Sequence, residues 1–297
     1  MLKGYTKQEI SWMMYDWANS AHSVIIVTLL PIFFDTVAGY TADSVSSMST
    51  WGYATSIAML IVALAAPFLG VFGDIRGMRK KLFSFFMLLG VAACAGMAFT
   101  PGMDFTSGPV AAGKVASLIL VLYIVSVIGF DASAIYYDAF LTDVTIEDRM
   151  DKVSTMGYGL GYIGGSTIPL LIFLIMNLVG VPMLTCLAFV FGLTAVWWLA
   201  FSLPLLKNCE QTSGKPYEKG DVARSIKGVG TTIKEIIANK PMLIYILSYF
   251  FYIDGVHTVI SMATTYGTNL GLDSTGMMLA LLLVQILGLP FCLLYIK

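Results

Sequence analysis

The heptapeptide NSAHSVI at residues 19–25 returns in nearly the same form as DGVHTVI at residues 254–260. The two strings carry both histidines of the chain, His22 and His257, and each lies within a long apolar segment. Two copies of one polar pattern at membrane depth, about 235 residues apart, indicate an internally duplicated membrane protein with its functional site near the middle of the bilayer. Chance similarity over so short a string is the alternative.

The composition predicts many membrane-spanning helices. Hydrophobic residues make up 58% of the 297 residues and charged residues only 12%, against about 25% charged in soluble domains. Apolar runs of roughly 20 residues recur, and each is long enough to cross a hydrocarbon core of about 30 Å as a helix. We therefore predict an all-α membrane protein with eight transmembrane helices, at residues 11–38, 51–72, 82–100, 115–141, 153–178, 183–206, 242–268 and 275–296.

The same composition argues against several other classes of protein. The net charge of −1 gives no reason to expect a nucleic-acid partner. The four cysteines show neither a disulfide framework nor metal-ligand spacing. No His-rich metal box or nucleophile–base pair of an intramembrane enzyme occurs in the sequence. We therefore expect no metal, no cofactor and no enzymatic activity.

The positive charges predict how the chain lies in the membrane. If every predicted helix crosses, sixteen of the 17 Lys and Arg residues fall on one side and Lys114 alone falls on the other. Cytoplasmic loops carry an excess of Lys and Arg. We therefore expect the N-terminus and the long middle loop to be cytoplasmic. The first apolar segment is far longer than the core of a signal peptide, so we read it as a membrane span.

The segment 207–240 is the predicted domain boundary because it is polar and rich in glycine. We divide the chain into a six-helix bundle at 1–206, a cytoplasmic linker at 207–240 and an incomplete second bundle at 241–297. Only two helices follow the linker, whereas a second bundle needs six, so we expect a fragment or a truncated product. Residues Val222 to Ile237 could form an amphipathic helix against anionic headgroups, and a solvated basic linker is the alternative.

The loop after the second helix reads GVFGDIRGMRKKL at residues 70–82. It resembles the loop signature of the major facilitator superfamily, in which Gly, Asp, Gly, a basic residue and Leu stand at positions 1, 5, 8, 10 and 13. The matching residues here are Gly70, Asp74, Gly77, Arg79 and Leu82, whereas Ile75 and Met78 depart from it. The glycines allow a tight turn, and Asp74 could pair with a basic residue in one conformation only, as a conformational switch. A plain positively charged loop is the alternative.

Three further stretches resemble the vacuole effluxer family, a branch of this superfamily that includes fungal autophagy-related amino-acid exporters and bacterial members. They are YDWANSA at 15–21, GYGLGYIGG at 157–165, and Asp254-Gly255 followed by Thr258-Val259. The resemblance implies the major facilitator fold and efflux of amino acids or related metabolites. It also implies a bacterial inner membrane or a vacuolar-type membrane as the location.

Polar residues at predicted membrane depth are the candidates for a substrate or proton pathway along helices 1, 4 and 7. An ionised carboxylate there costs roughly 2.5–3.5 kcal/mol, so such groups normally face a wet cavity or a partner. His22, His257, Asp16 and Asp254 are the candidates for proton coupling. Interhelical hydrogen bonds are the alternative role for both residue types. The full set is Asp16, Asn19, Ser20, His22, Asp131, Tyr137, Asp138, Asp254, His257 and Thr258.

The charges at membrane depth also bear on the substrate. Asp131 and Asp138 are seven residues apart and share one face of helix 4, and no Lys or Arg lies deep in any predicted helix. Strong anions such as phosphate esters usually need guanidinium or ammonium partners. We therefore expect a zwitterionic, cationic or neutral substrate.

Helix 5 carries Gly157, Gly161 and Gly165 at spacings of four, which permits close approach of a neighbouring helix. We expect this face to be the rocking surface against the second bundle, with static packing as the alternative.

Together these features predict a secondary active transporter that moves a small solute by alternating access. A truncated membrane receptor or scaffold, which binds but does not translocate, is the alternative.

Overall fold

The computed structural model describes residues 2, 4–41, 47–216 and 221–295, and these residues form ten α-helices, a short 3-10 helix and one π-helical turn. Lys3, Lys219 and Lys297, which entered the charge count above, lie outside the described residues. The helices are α1 Lys7–Ala38, α2 Ser47–Gly73, α3 Arg79–Met97, the 3-10 helix Thr100–Gly102, α4 Pro109–Val144, α5 Glu147–Gly161, the π turn Tyr162–Ser166, α6 Thr167–Leu178, α7 Met183–Asn208, α8 Asp221–Ala238, α9 Lys240–Asn269 and α10 Ser274–Tyr295.

Eight spans among the described residues are long and apolar enough to cross a membrane, with α5, the π turn and α6 forming one of them. Each overlaps one predicted helix, so the predicted all-α fold with eight transmembrane helices is confirmed. Several helices run past the predicted apolar stretches, and in α1 a polar cap accompanies the extension. At the start of α1 the Thr6 hydroxyl accepts a hydrogen bond from the Glu9 amide at 3.1 Å, and the Glu9 carboxylate accepts one from the Thr6 amide at 2.7 Å.

Helix α1 is the centre of a bundle formed by α1 to α7, which we call the first bundle. It packs against α4, α5 and α7, and α3 lies against both α4 and α7. Most of α1 is therefore buried, whereas α2 packs mainly on α4 and stays largely exposed. Helix α9 docks on α1 and α2, and α10 docks on α5, the π turn and α6.

Helices α3 and α4 meet backbone to backbone at two glycines. A Cβ atom on Gly129 would lie 2.5 Å from the Gly90 amide nitrogen and 2.8 Å from the Phe86 carbonyl oxygen. Real Cβ atoms essentially never approach other atoms so closely, so only glycine fits at position 129 without moving a helix. The indole ring of Trp198 fills the space on the other side of Gly90.

The fifth membrane span is interrupted where the sequence predicts one continuous helix. Pro169 cannot donate a hydrogen bond to the Gly165 carbonyl, and its ring would collide with that carbonyl in a regular helix. The chain widens just before this proline into the π turn Tyr162–Ser166. The Thr167 hydroxyl donates a hydrogen bond to the Tyr162 carbonyl at 2.7 Å and so occupies one backbone acceptor of the widened turn.

Helix α8 forms within the predicted linker. It covers the whole stretch from Val222 to Ile237 in which we expected an amphipathic helix. Only Asn239 separates it from α9, and the Asn239 side chain caps α9 by accepting a hydrogen bond from the Met242 amide at 3.3 Å.

Candidate functional site

Asp16 and Tyr137 form the centre of a polar cluster between α1 and α4. The Tyr137 hydroxyl donates a hydrogen bond to the Asp16 carboxylate at 2.8 Å. Trp12 holds this tyrosine from one side, because its ring stacks on the Tyr137 ring with centroids 4.3 Å apart and its indole N–H donates to the Tyr137 carbonyl at 2.9 Å. Asp16 is 7% exposed and Tyr137 is 5% exposed. The structure therefore brings together two of the residues that we expected to line a pathway.

Asp138 and Tyr158 extend this cluster towards the surface. Asp138 is exposed and interacts electrostatically with Asp16 and Tyr137, and Tyr158 of α5 interacts with both carboxylates. We call Asp16, Tyr137, Asp138 and Tyr158 the carboxylate–tyrosine cluster.

The glycine face of α5 and the π turn packs against α1, inside the first bundle. A Cβ atom on Gly157 would overlap the Asp16 carboxylate, and one on Gly161 would lie 2.5 Å from the Ser20 hydroxyl. Gly165 lies against the backbone of Trp17 in the same way. Our expectation that this face would meet the second bundle is therefore wrong. Helical spacing shows that the three glycines share a face, but it does not show which neighbour they meet.

A different face of the same span meets α10. A Cβ atom on Gly159 would lie 3.0 Å from the Leu289 side chain, and one on Gly288 would lie 2.5 Å from the Tyr162 ring. These contacts join the first bundle to the helices after the linker.

Asp131 lies one helical heptad from Asp138 on α4, as the sequence predicts, but in different surroundings. It is partly buried, and one of its carboxylate oxygens has no hydrogen-bond partner among the described residues. It interacts electrostatically with Tyr123, whose hydroxyl lies 3.0 Å from the Thr55 hydroxyl of α2. Asp131 therefore lies near the α2 side of the bundle.

A cavity of about 450 Å³ opens between α2 and α9 close to this point. Small ligands typically occupy cavities of about 300–1,000 Å³. Hydroxyl groups from both helices face it, including that of Thr258, one of the predicted site residues. We call this space the hydroxyl cavity; its lining is Met48, Ser49, Gly52, Tyr53, Thr55, Ser56, Thr258, Ser261 and Met262.

The two histidines do not share a void. His22 is 3% exposed and lies between the rings of Phe130 and Trp198, with ring centroids 4.9 and 5.0 Å away. Neither of its ring nitrogens has a hydrogen-bond partner among the described residues. His257 and Asp254 are exposed on α9. The expectation that both imidazoles face one wet pathway is therefore wrong for His22, because α4 and α7 cover that side of α1.

Asn19 and Ser20 are positioned inside the first bundle. Asn19 is 8% exposed and lies beside the hydroxyl of Tyr15, which is itself 2.8 Å from the Ser133 hydroxyl. The Ser20 carbonyl accepts a long hydrogen bond from Ser166 of the π turn at 3.4 Å. Ser20 therefore joins α1 to the π turn, whereas Asn19 contacts a tyrosine of its own helix.

A second polar site lies at the end of the bundle where Lys7, Arg79 and Arg149 are found, which we call the basic end. Arg79 is 4% exposed, pairs with the Asp143 carboxylate and donates to the Ala139 carbonyl at 3.0 Å. The Asp143 side chain is fully buried. Its other oxygen accepts hydrogen bonds from the backbone amides of Thr212 and Ser213 at 3.1 and 2.9 Å.

The chain after α7 completes this site. The Gln211 amide group accepts a hydrogen bond from the Gly77 N–H at 2.8 Å and donates one to the Gly73 carbonyl at 3.0 Å. Two further backbone hydrogen bonds join Lys215 to the loop after α2. We call Arg79, Asp143, Gln211, Thr212 and Ser213 the basic-end clasp. Burial beside it raises the pKa of the Cys209 thiol to about 12, which fits an inert, protonated cysteine.

The structure revises the predicted switch loop. Gly77 has a φ of +80°, so glycine is needed for the turn, whereas Gly70 has open space beside it. The side chain of Asp74 is 81% exposed and lies 3.9 Å from Arg79, so the close partner of this arginine is Asp143. Asp143 is 64 residues away from Arg79 in the chain. No spacing rule in the sequence pointed to that pairing.

Comparisons with known proteins agree with this architecture. The sequence pattern described as "Vacuole effluxer Atg22 like" matches residues 5–149 and 142–292. An uncharacterised MFS-type transporter of Bacillus subtilis, YxiO, is 39% identical over 305 aligned positions, which cover 100% of this chain and 68% of that protein. Autophagy-related protein 22-1 of Penicillium rubens is 26% identical over 159 positions, covering 50% of this chain and 27% of the relative. The protein of the same name from Sclerotinia sclerotiorum is 26% identical over 131 positions, covering 39% and 22%.

Proposed function

We propose that this chain exports a small solute with a protonated amine. The chain belongs to the Atg22-like vacuole effluxer family and is an MFS-type transporter of the membrane. An amino acid is the simplest such solute. The observation that carries this proposal is the placement of carboxylates without deep cations. Asp16, Asp131 and Asp138 lie in the first bundle, and no Lys or Arg occurs at comparable depth in the sequence.

The charge balance favours amines over strong anions. Arg79 lies at the basic end and is already neutralised by Asp143, so it is not free to bind a substrate anion. Carboxylates inside a bilayer normally face a partner or a wet cavity. An ammonium group arriving between α1 and α4 would find Asp138 exposed and Asp16 behind it. The carboxylate of a zwitterionic substrate would have to accept hydrogen bonds from hydroxyl and amide groups.

The route that we propose runs between the first bundle and α9. The carboxylate–tyrosine cluster lies nearer the basic end, and the hydroxyl cavity lies towards the opposite end, where α2 begins. Alternating access would expose these two polar regions in turn. The contacts of Gly159 and Tyr162 with α10 are the surface that would have to slide. We further propose that the basic end is cytoplasmic, because positive charges are retained on that side.

We assign proton coupling to Asp16. It is a buried carboxylate with one hydroxyl donor, Tyr137, and with Asp138 as a second carboxylate nearby. Protonation of Asp16 would remove its repulsion for Asp138 and its attraction for an ammonium group, so proton and substrate would compete for one site. His22 is enclosed by aromatic rings and is not part of this proposal.

The test is flux into proteoliposomes that contain the purified protein. We expect uptake of a labelled basic or neutral amino acid and none of a labelled dicarboxylate. An imposed pH gradient should drive accumulation of the amino acid, and an ionophore that dissipates the gradient should abolish it. Asp16→Asn should reduce the flux by about tenfold or more, since a charged hydrogen-bond partner contributes roughly 1.5–3 kcal/mol.

The matched control is Asp151→Asn, because Asp151 is an exposed carboxylate near the start of α5. It should transport like the parent protein. Uptake of the dicarboxylate in preference to amino acids would overturn the substrate assignment. Saturable binding of amino acids without any flux would favour the receptor alternative.

A further inference from the structure

The described part of α8 carries an apolar stripe that the protein covers only in part. Val229, Ile233, Ile236 and Ile237 share one side of the helix, at spacings of three and four. Val229 and Ile236 are partly buried, and α8 contacts α2 and α9. Ile233 is 50% exposed and Ile237 is 60% exposed. About half of the surface of each of these two large apolar side chains is therefore left uncovered by the described residues.

The position of α8 places this stripe at the membrane boundary. The helix begins six residues after Lys215, which is hydrogen-bonded to the loop after α2. One residue, Asn239, separates its end from α9, a membrane-spanning helix. Both ends of α8 are therefore tied to the basic end of the bundle, where the spanning helices leave the bilayer.

The opposite side of the helix is polar. Thr231, Lys234 and Glu235 are exposed there, and Lys240 follows at the start of α9. The sequence from 221 to 240 contains four basic residues, Arg224, Lys227, Lys234 and Lys240, against the two acidic residues Asp221 and Glu235. Basic amphipathic helices of this kind lie in the plane of the interface, with the apolar face among acyl chains and the cations at anionic headgroups.

We propose that α8 lies in the headgroup region of the leaflet at the basic end and binds anionic phospholipids there. Ile233 and Ile237 enter the acyl layer beside α2 and α9. The aliphatic part of the Lys234 side chain lies at the boundary between the acyl layer and the headgroups, and its ammonium group contacts lipid phosphates. This inference depends on the membrane assignment alone, so it stands or falls separately from the proposed substrate.

The test uses single cysteines that carry an environment-sensitive fluorophore, in a variant of the whole chain whose four native cysteines are replaced by alanine or serine. Ile237→Cys reports on the apolar side of α8, and Thr231→Cys is the matched control on the polar side. The protein is reconstituted in vesicles with and without about one-third phosphatidylglycerol, and brominated lipids serve as quenchers. We expect blue-shifted, quenched emission at position 237 and water-like, unquenched emission at position 231.

The anionic component has its own readout. Quenching at position 237 should increase with phosphatidylglycerol, and Lys234→Gln should reduce that increase. Water-like emission at both positions would overturn the proposal in favour of a solvated linker. A blue shift at 237 without lipid quenching would also overturn it, since protein would then cover the stripe. If the extent of quenching at position 237 changes neither with phosphatidylglycerol content nor with Lys234→Gln, the assignment to anionic headgroups is overturned.

Discussion

Asp143→Ala is expected to lower the free energy of unfolding by about 3–5 kcal/mol, the usual cost of leaving one member of a buried ion pair without its partner. Arg79 would remain 4% exposed with its guanidinium group facing an apolar methyl group. The backbone amides of Thr212 and Ser213 would lose their acceptor at the same time. Denaturant-induced unfolding of the purified protein in mixed micelles measures the change.

The matched control is Asp74→Ala, which removes the other carboxylate near Arg79. The side chain of Asp74 is 81% exposed and lies 3.9 Å from the guanidinium group, so its loss should change stability by less than about 1 kcal/mol. Equal losses for the two variants would contradict a buried pair. A second comparison isolates the charge: Arg79→Met combined with Asp143→Leu should recover part of the stability, because no buried charge is left unpaired.

Gly129→Ala is expected to destabilise the first bundle by about 3 kcal/mol, at the upper end of the range for overpacked sites. The added methyl group would overlap the backbone of α3 at Gly90 and Phe86. Backbone atoms within a helix cannot move aside individually, so α3 and α4 would have to separate. Thermal unfolding of the purified protein, followed by loss of the monodisperse peak in size-exclusion chromatography, measures the effect.

Gly113→Ala provides the control on the same helix. No atom lies within 4 Å of a Cβ placed at this position, and alanine favours a helix over glycine by roughly 0.5–1 kcal/mol. This variant should be neutral or slightly stabilising. If the Gly129→Ala variant unfolds at the same temperature as the parent protein, α3 and α4 are not in backbone contact.

The membrane helices were predictable because their signal is local. A stretch of about 20 apolar residues must span the bilayer whatever surrounds it, and all eight predicted spans overlap helices in the structure. The predicted ends were less accurate because a helix continues beyond its apolar run into polar residues. The α1 capping box at Thr6 and Glu9 is one case. The π turn before Pro169 is another local feature, and the proline was a visible signal for it.

The candidate site was predictable only in part. The sequence identified Asp16 and Tyr137 separately, and their hydrogen bond needed the packing of α1 on α4. It identified the glycine spacing of α5 but assigned it to the wrong neighbour. It paired His22 with His257 because their sequence surroundings match, yet the side chain of His22 lies among aromatic rings inside the first bundle.

The sequence alone determined that this chain is a multi-pass helical membrane protein of the major facilitator type, since hydrophobic length and one loop motif are properties of short contiguous stretches. Only the tertiary structure decided which face of each helix meets which neighbour. Where most of the surface of a spanning helix is apolar on every side, rotation of the helix about its axis changes its transfer free energy little. Its orientation is then selected by close contacts between distant residues, such as Gly90 with Gly129 and Arg79 with Asp143.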